Sequence, residues 1–133
     1  MEKIYEVILK PKREFRVPVE LEVVTPNNFA GKSINEIISQ VIYEGNRERK
    51  LGELFEVKGE VGESPDNIRI IIENSCNKLW RIGEGMSAGE IIVKGDVGHY
   101  LGKHMAGGKI TVHGNAGSWV CLLYTSPSPR DRG

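Results

Sequence analysis

Three groups of residues in this chain have types and spacings that chemistry could use. The first is Gly31-Lys32-Ser33, which lies between a strand-like and a helix-like segment, the setting of a phosphate-binding loop. That motif also needs a glycine five places before Gly31, where Pro26 stands, and Asn28 and Phe29 leave little room for a backbone cradle. Ser33 acting as a helix cap explains the residues without a ligand. The second group is His99, His104 and His113 with Cys76. His99 and His104 lack the i, i+4 spacing of a helical metal pair, Cys76 lies two repeats away, and His113 repeats the outward-facing place of Lys94. The third is Asp96 with Asn115. A general acid–base pair needs two carboxylates poised about a substrate, whereas Asp over Asn is accounted for by side-chain-to-backbone bonds in turns. Gly83-Glu84-Gly85 alone is a weak signal, and no nucleophile–base constellation is legible.

These residues are positioned by a repeat of 19 residues. The stretch from Met86 to Leu101 is echoed from Met105 to Val120, with Gly89 over Gly108, Ile91 over Ile110, Gly95 over Gly114, Asp96 over Asn115 and Gly98 over Gly117. Gly102 ends the first copy. Each copy begins with a short strand, 90–94 or 109–113, in which Ile91 and Val93, or Ile110 and Val112, share one face. Paired glycines beside Asp or Asn then supply the left-handed backbone angles of a tight turn. Tyr100 and Trp119, like Leu101 and Val120, recur where a second, shorter strand could face inward. The period is too short for a βαβ unit, which needs about 30 residues. It suits one coil of a solenoid whose neighbours stack at about 4.8 Å.

Two weaker copies precede these. Ile70–Leu79 aligns with Ile91–Tyr100, and Ile82-Gly83 with Leu101-Gly102 if Trp80-Arg81 is an insertion; Gly52–Gly62 matches Gly89–Gly98 with one extra residue. The expected fold is therefore mainly β: a small α/β segment over 1–50, then a truncated right-handed parallel β-helix over 51–120 with roughly four coils. In the first segment, Ile4–Leu9 reads as a strand ended by Pro11, and Val17–Val24 as a half-exposed strand that Pro18 marks as an edge. Ser33-Ile-Asn-Glu36 is a capping box, and Ile34, Ile37, Ile38 and Val41 follow the spacing of an amphipathic helix that Gly45 stops. Arg47-Glu-Arg-Lys50 reads as a solvated connector, with a contact between subunits as the alternative.

The repeat vanishes at Cys121, where a counterpart of Gly102 is due. The string from Cys121 to Asp131 resembles a translated transposase sequencing adapter, so 121–133 is set aside, a natural Ser/Pro linker being the alternative. On that reading 1–120 is the amino-terminal part of a longer protein. The tail holds Arg130, Arg132 and Asp131, so 16 basic and 17 acidic groups remain, a balance that points to no nucleic-acid or anionic-membrane partner. Cys76 is then a lone thiol, which suits a cytoplasmic protein, and no apolar run approaches the ~20 residues of a membrane span.

The pattern Met-x-Gly-Gly-x-Ile-x-Val-x-Gly-Asn-Ala-Gly at 105–117 resembles a glycine-rich repeat domain found in two protein groups. One is the carboxy-terminal domain of the glutamate synthase large subunit, and the other is the C subunit of formylmethanofuran dehydrogenase. Val17–Glu20, Phe29–Ser33, Glu44–Asn46, Lys50–Phe55 and Arg81–Glu90 resemble the start of that C subunit. In glutamate synthase the repeat follows a very long catalytic region, which does not fit Met1 only about 50 residues upstream. The C subunit of the bacterial formyltransferase/hydrolase complex, a relative without the redox step, is a further alternative. The resemblance implies a β-helical structural subunit of the complex that reduces carbon dioxide through formate to N-formylmethanofuran in methanogenesis. It implies a molybdenum or tungsten pterin, iron–sulfur clusters and a dinuclear metal site on partners, namely pterin, hydrolase-like and ferredoxin-like subunits. It supplies no catalytic, cofactor or metal residue for this chain.

Overall fold

Alternation of inward and outward side chains builds most of the strands, and they assemble into two sheets. The structure is a computed structural model in which residues 3–98 and 101–113 are described. The first sheet has the order β5 (Phe55–Gly59), β1 (Tyr5–Pro11), β6 (Ile68–Ser75), β8 (Glu90–Gly95) and β9 (Lys109–Val112). The second has the order β4 (Arg47–Lys50), β3 (Val41–Glu44), β2 (Val19–Glu20) and β7 (Leu79–Trp80). Among the described residues there are also three short helices, α1 (Pro26–Phe29), α2 (Ile34–Ile38) and α3 (Leu51–Leu54), and a 3₁₀ turn at Pro65–Asn67.

The chain passes from one sheet to the other and back. β1, β6, β8 and β9 run parallel, so Val7, Ile70, Ile91 and Ile110 lie in one cross-strand column and Leu9, Ile72, Val93 and Val112 in the next. All of these are buried except Val112, which packs against the same core. Burial of each Val, Leu or Ile contributes roughly 1.5–3 kcal/mol. A slip of one residue would turn both columns to solvent, which fixes the register. The 19-residue offset extends beyond the strands: Gly102 N–H donates to the Ile82 carbonyl at 2.8 Å, Ala106 N–H to Met86 at 2.8 Å and His113 N–H to Val93 at 2.8 Å. The turn that closes with Met86 N–H on the Gly83 carbonyl (3.1 Å) recurs as Met105 N–H on Gly102 (2.9 Å).

Several expectations are corrected. Phe55–Gly59, within the weak repeat at 52–62, does not stack as a coil; it runs antiparallel to β1 at the sheet edge. The strand beneath β6 is β1, paired in parallel, and β2 likewise pairs in parallel with β7. The amino-terminal segment thus supplies the first layer, and a single buried cluster runs from Val7 to Ile110. β2 is only two residues long and lies inside its sheet, so Pro18 precedes an interior strand and marks no edge. Helix α2 has the expected capping box of Ser33 and Glu36, but it ends at Ile38 and Val41 opens β3, 42% exposed. Gly45, at φ 62°, turns the hairpin from β3 into β4 and stops no helix. Arg47–Lys50 is that hairpin's second strand. The extra residues of the earlier copy do not all fall at Trp80-Arg81: the register already shifts between Ile72 and Ser75, and Gly98 N–H donates to the Leu79 carbonyl at 3.0 Å.

Candidate functional site

The residues that the sequence offered for chemistry are dispersed. Lys32 Nζ donates to the Asn28 carbonyl at 2.7 Å, and Ser33 Oγ accepts the Glu36 N–H at 3.2 Å, so both groups of the loop-like motif serve local structure. Gly31 N–H donates to the Gly62 carbonyl at 2.9 Å. His104 and His113 are both exposed, and His104 holds φ 60° at the place that Gly85, at φ 75°, takes in the preceding copy. Cys76 is a free, half-buried thiol beside the core. Among the described residues no three His, Cys, Asp or Glu side chains converge on a possible metal position. Those residues do not fit an iron–sulfur cluster or a dinuclear centre. No helix of the described residues is long and apolar enough to cross a membrane.

The repeat glycines have a clear geometric part. Gly89, Gly95, Gly102 and Gly108 all take positive φ. At Gly95, φ is 131° and a Cβ would overlap the Ser75 carbonyl oxygen; at Gly98 it would overlap Trp80 Cδ1. Only glycine lets the neighbouring segments approach this closely. Asp96 is exposed; its N–H donates to the Ser75 carbonyl at 3.3 Å and its carbonyl accepts the Ser75 hydroxyl at 2.5 Å. His99, Gly114, Asn115, Gly117 and the whole of 121–133 lie outside the described residues.

Two arrangements arise only in three dimensions. On the outer face of the first sheet, Glu6, Arg69, Glu90 and Lys109 form one cross-strand row. Arg69 donates through Nε to Glu90 and through Nη1 to Glu6, both at 2.9 Å. The hydrogen bond to Glu90, then that to Glu6, pushes the Arg69 guanidinium above its ordinary range. In the next row Ile8, Ile71 and Ile92, each half-buried, stand between Lys58 and Thr111.

The other arrangement is a cleft of about 610 Å³ where the loop after β1 faces the β3–β4 hairpin. Glu44 ends β3 with 8% of its surface exposed. Arg13 Nη2 lies 2.8 Å from both its oxygens, and Arg49 Nε lies 3.4 Å from one. The Arg13 guanidinium also stands 5.5 Å from the Phe15 ring centre, and Phe15 tilts against Phe55 with centroids 5.6 Å apart. Gly45 N–H donates to the Pro18 carbonyl at 2.7 Å, which ties the hairpin tip to the strand beside it. The sequence signal for this hairpin is the charged alternation of Arg47–Lys50 after Gly45-Asn46, a two-residue turn pattern.

No protein-family model matches the chain. Over 97 residues it is 53% identical to the C subunit of the tungsten-containing formylmethanofuran dehydrogenase 2 of Methanothermobacter wolfeii. Over 96 residues it is 42% identical to the C subunit of the molybdenum-containing formylmethanofuran dehydrogenase 1 of Methanosarcina barkeri. These alignments cover 73% and 72% of this chain but 36% and 32% of the relatives, so the chain spans about a third of their length. Among solved structures it is similar to a chain of the formyltransferase/hydrolase complex from Methylorubrum extorquens in complex with methylofuran. The TM-score is 0.59 and the identity 28%, over 83% of this chain and 47% of that one. The chain is thus a part-length homologue of subunits of multi-chain enzymes. The relatives at 42% and 53% identity are, specifically, C subunits of formylmethanofuran dehydrogenase.

Proposed function

We propose that this chain is part of a C subunit of formylmethanofuran dehydrogenase and that its role is structural. The observation that carries the reading is the 53% identity over 97 residues to such a subunit. The in-register parallel stacking of β6, β8 and β9 agrees with it, since a rigid stack of coils is a scaffold and not a cleft with converging catalytic groups. On this reading the coils from β6 to residue 120 form a right-handed parallel β-helix, and Phe55–Gly59, at the start of the 51–120 region, lies at its edge. Gly89, Gly95, Asp96, Gly98, Gly102 and Gly108, and then Gly114, Asn115 and Gly117, make its repeat turns. The complex reduces carbon dioxide through formate to N-formylmethanofuran. The molybdenum or tungsten pterin, the iron–sulfur clusters and the dinuclear metal site reside on the pterin, ferredoxin-like and hydrolase-like subunits, and this cytoplasmic chain supplies no catalytic residue.

The isolated chain, given methanofuran, carbon dioxide and a low-potential reductant, is expected to form no formylmethanofuran. Turnover by the chain alone overturns the structural role. The fold similarity to the formyltransferase/hydrolase complex favours a second reading, a C subunit of that complex. Co-expression with each partner set separates the two, because the chain should be retained by only one.

A further inference from the structure

We infer that the arginine-lined cleft between the loop after β1 and the β3–β4 hairpin is the docking site for an acidic segment of a partner protein in the complex. The inference rests on the structural role proposed above and deepens it by naming a contact. Arg13, Arg16, Arg47 and Arg49 line the cleft against two carboxylates, Glu14 and Glu44. Glu44 already occupies Arg13 and Arg49. Arg16 and Arg47, one on each wall, have no side-chain hydrogen bond or ion pair among the described residues. Arg49 Nε is buried and lacks a hydrogen-bond partner, although Glu44 stands 3.4 Å away.

Guanidinium forks recognise carboxylates with two parallel hydrogen bonds, and here two unpaired forks face one space. The cleft's volume of about 610 Å³ is that of a site for a few side chains. Val17 is 40% exposed and lines the same space, so the complementary ligand carries carboxylates beside an apolar group, as a peptide segment does and inorganic anions do not. The walls are held in advance. Glu44 fixes two of the arginines, the Gly45–Pro18 hydrogen bond fixes the hairpin tip, and a Cβ on Gly45 would approach Val17 Cγ2 to 3.1 Å. Pre-set walls reduce the ordering cost of binding.

The test is calorimetric titration of the 133-residue chain with an eight-residue peptide of Asp and Glu flanking a central Leu, with inorganic phosphate as the small-anion probe. Saturable 1:1 binding that weakens with salt is expected, and Arg16→Ala/Arg47→Ala should raise Kd by about tenfold or more. Arg16→Lys/Arg47→Lys, which keeps the charge and loses the fork, should fall between. Neither side chain supports a described contact, so circular dichroism and melting of all three proteins should coincide. Equal peptide affinity in the double-alanine protein, no saturable binding by the wild type, or phosphate binding as tight as the peptide each overturns the inference. Co-expression of the double-alanine chain with the partner subunits keeps the two claims separate. If it assembles as well as wild type, the cleft is not the contact while the structural role stands; a wild-type chain that does not assemble sinks that role itself.

Discussion

At the scale of single residues, what matters most is where the fold leaves a side chain no freedom to change. Glu44 is a buried carboxylate whose removal strands Arg13 and the buried Nε of Arg49. Glu44→Ala should cost about 1 kcal/mol in urea unfolding, since the two guanidiniums it leaves are partly exposed and water replaces part of the lost contact. Gly95 is constrained by backbone. With φ at 131° and the Ser75 carbonyl where a Cβ would go, Gly95→Ala should cost well over ~1 kcal/mol, and Gly85→Ala, at φ 75° with open space, closer to that figure. Equal melting of the two variants would refute the claim that close approach of the neighbouring strand, more than φ, selects glycine at 95. Arg69 makes a contrasting case. Its pKa is raised by Glu90 and Glu6, so its stabilisation is fully present below the unfolded-state pKa and is lost only as pH rises through the folded one, both beyond the working range. The cost of Arg69→Gln, about 1 kcal/mol or less for a pair so exposed, should therefore be flat between about pH 6 and about pH 9. A clear change in that cost across the interval would contradict this account of Arg69.

At the scale of elements, the period-2 pattern makes a sharp distinction between neighbours. Ile91 is fully buried in its column, whereas Ile92 faces outward and is half-buried. Ile91→Ala should cost about 2–5 kcal/mol and Ile92→Ala under about 1 kcal/mol, measured as ΔG of unfolding in urea. Similar costs would mean that the strand pairs in a different register. The same physics decides what the sequence could show. Identical glycine and β-branched positions 19 residues apart made the parallel pairing of β8 with β9 legible, because turn and strand recur together. The segment around β5 carries the same local signs, yet they specify a strand and a turn and say nothing of direction. Direction follows from how α3 delivers the chain to β1, a tertiary fact. The β3–β4 hairpin was hidden for another reason. Val41 continues the helical spacing of Ile34, Ile37 and Ile38, and that longer pattern masked the two-residue turn at Gly45-Asn46. The cleft was illegible because Arg13 and Arg49 meet at Glu44 only after the hairpin folds back.

At the scale of the whole molecule, the stack offers two different surfaces. One is the outer face of the first sheet, with a self-paired charge row beside half-buried isoleucines; the other is the arginine cleft at the hairpin. Neither brings together acid, base and nucleophile, and among the described residues none holds a metal. The role proposed for it, from its likeness to C subunits, is to hold other chains in place. The most direct measurement is native mass spectrometry of this chain co-expressed with the pterin and hydrolase-like subunits of formylmethanofuran dehydrogenase. The expected result is a complex that contains the chain in fixed stoichiometry with both partners. A chain that flies alone, while the partners assemble without it, would contradict the structural role.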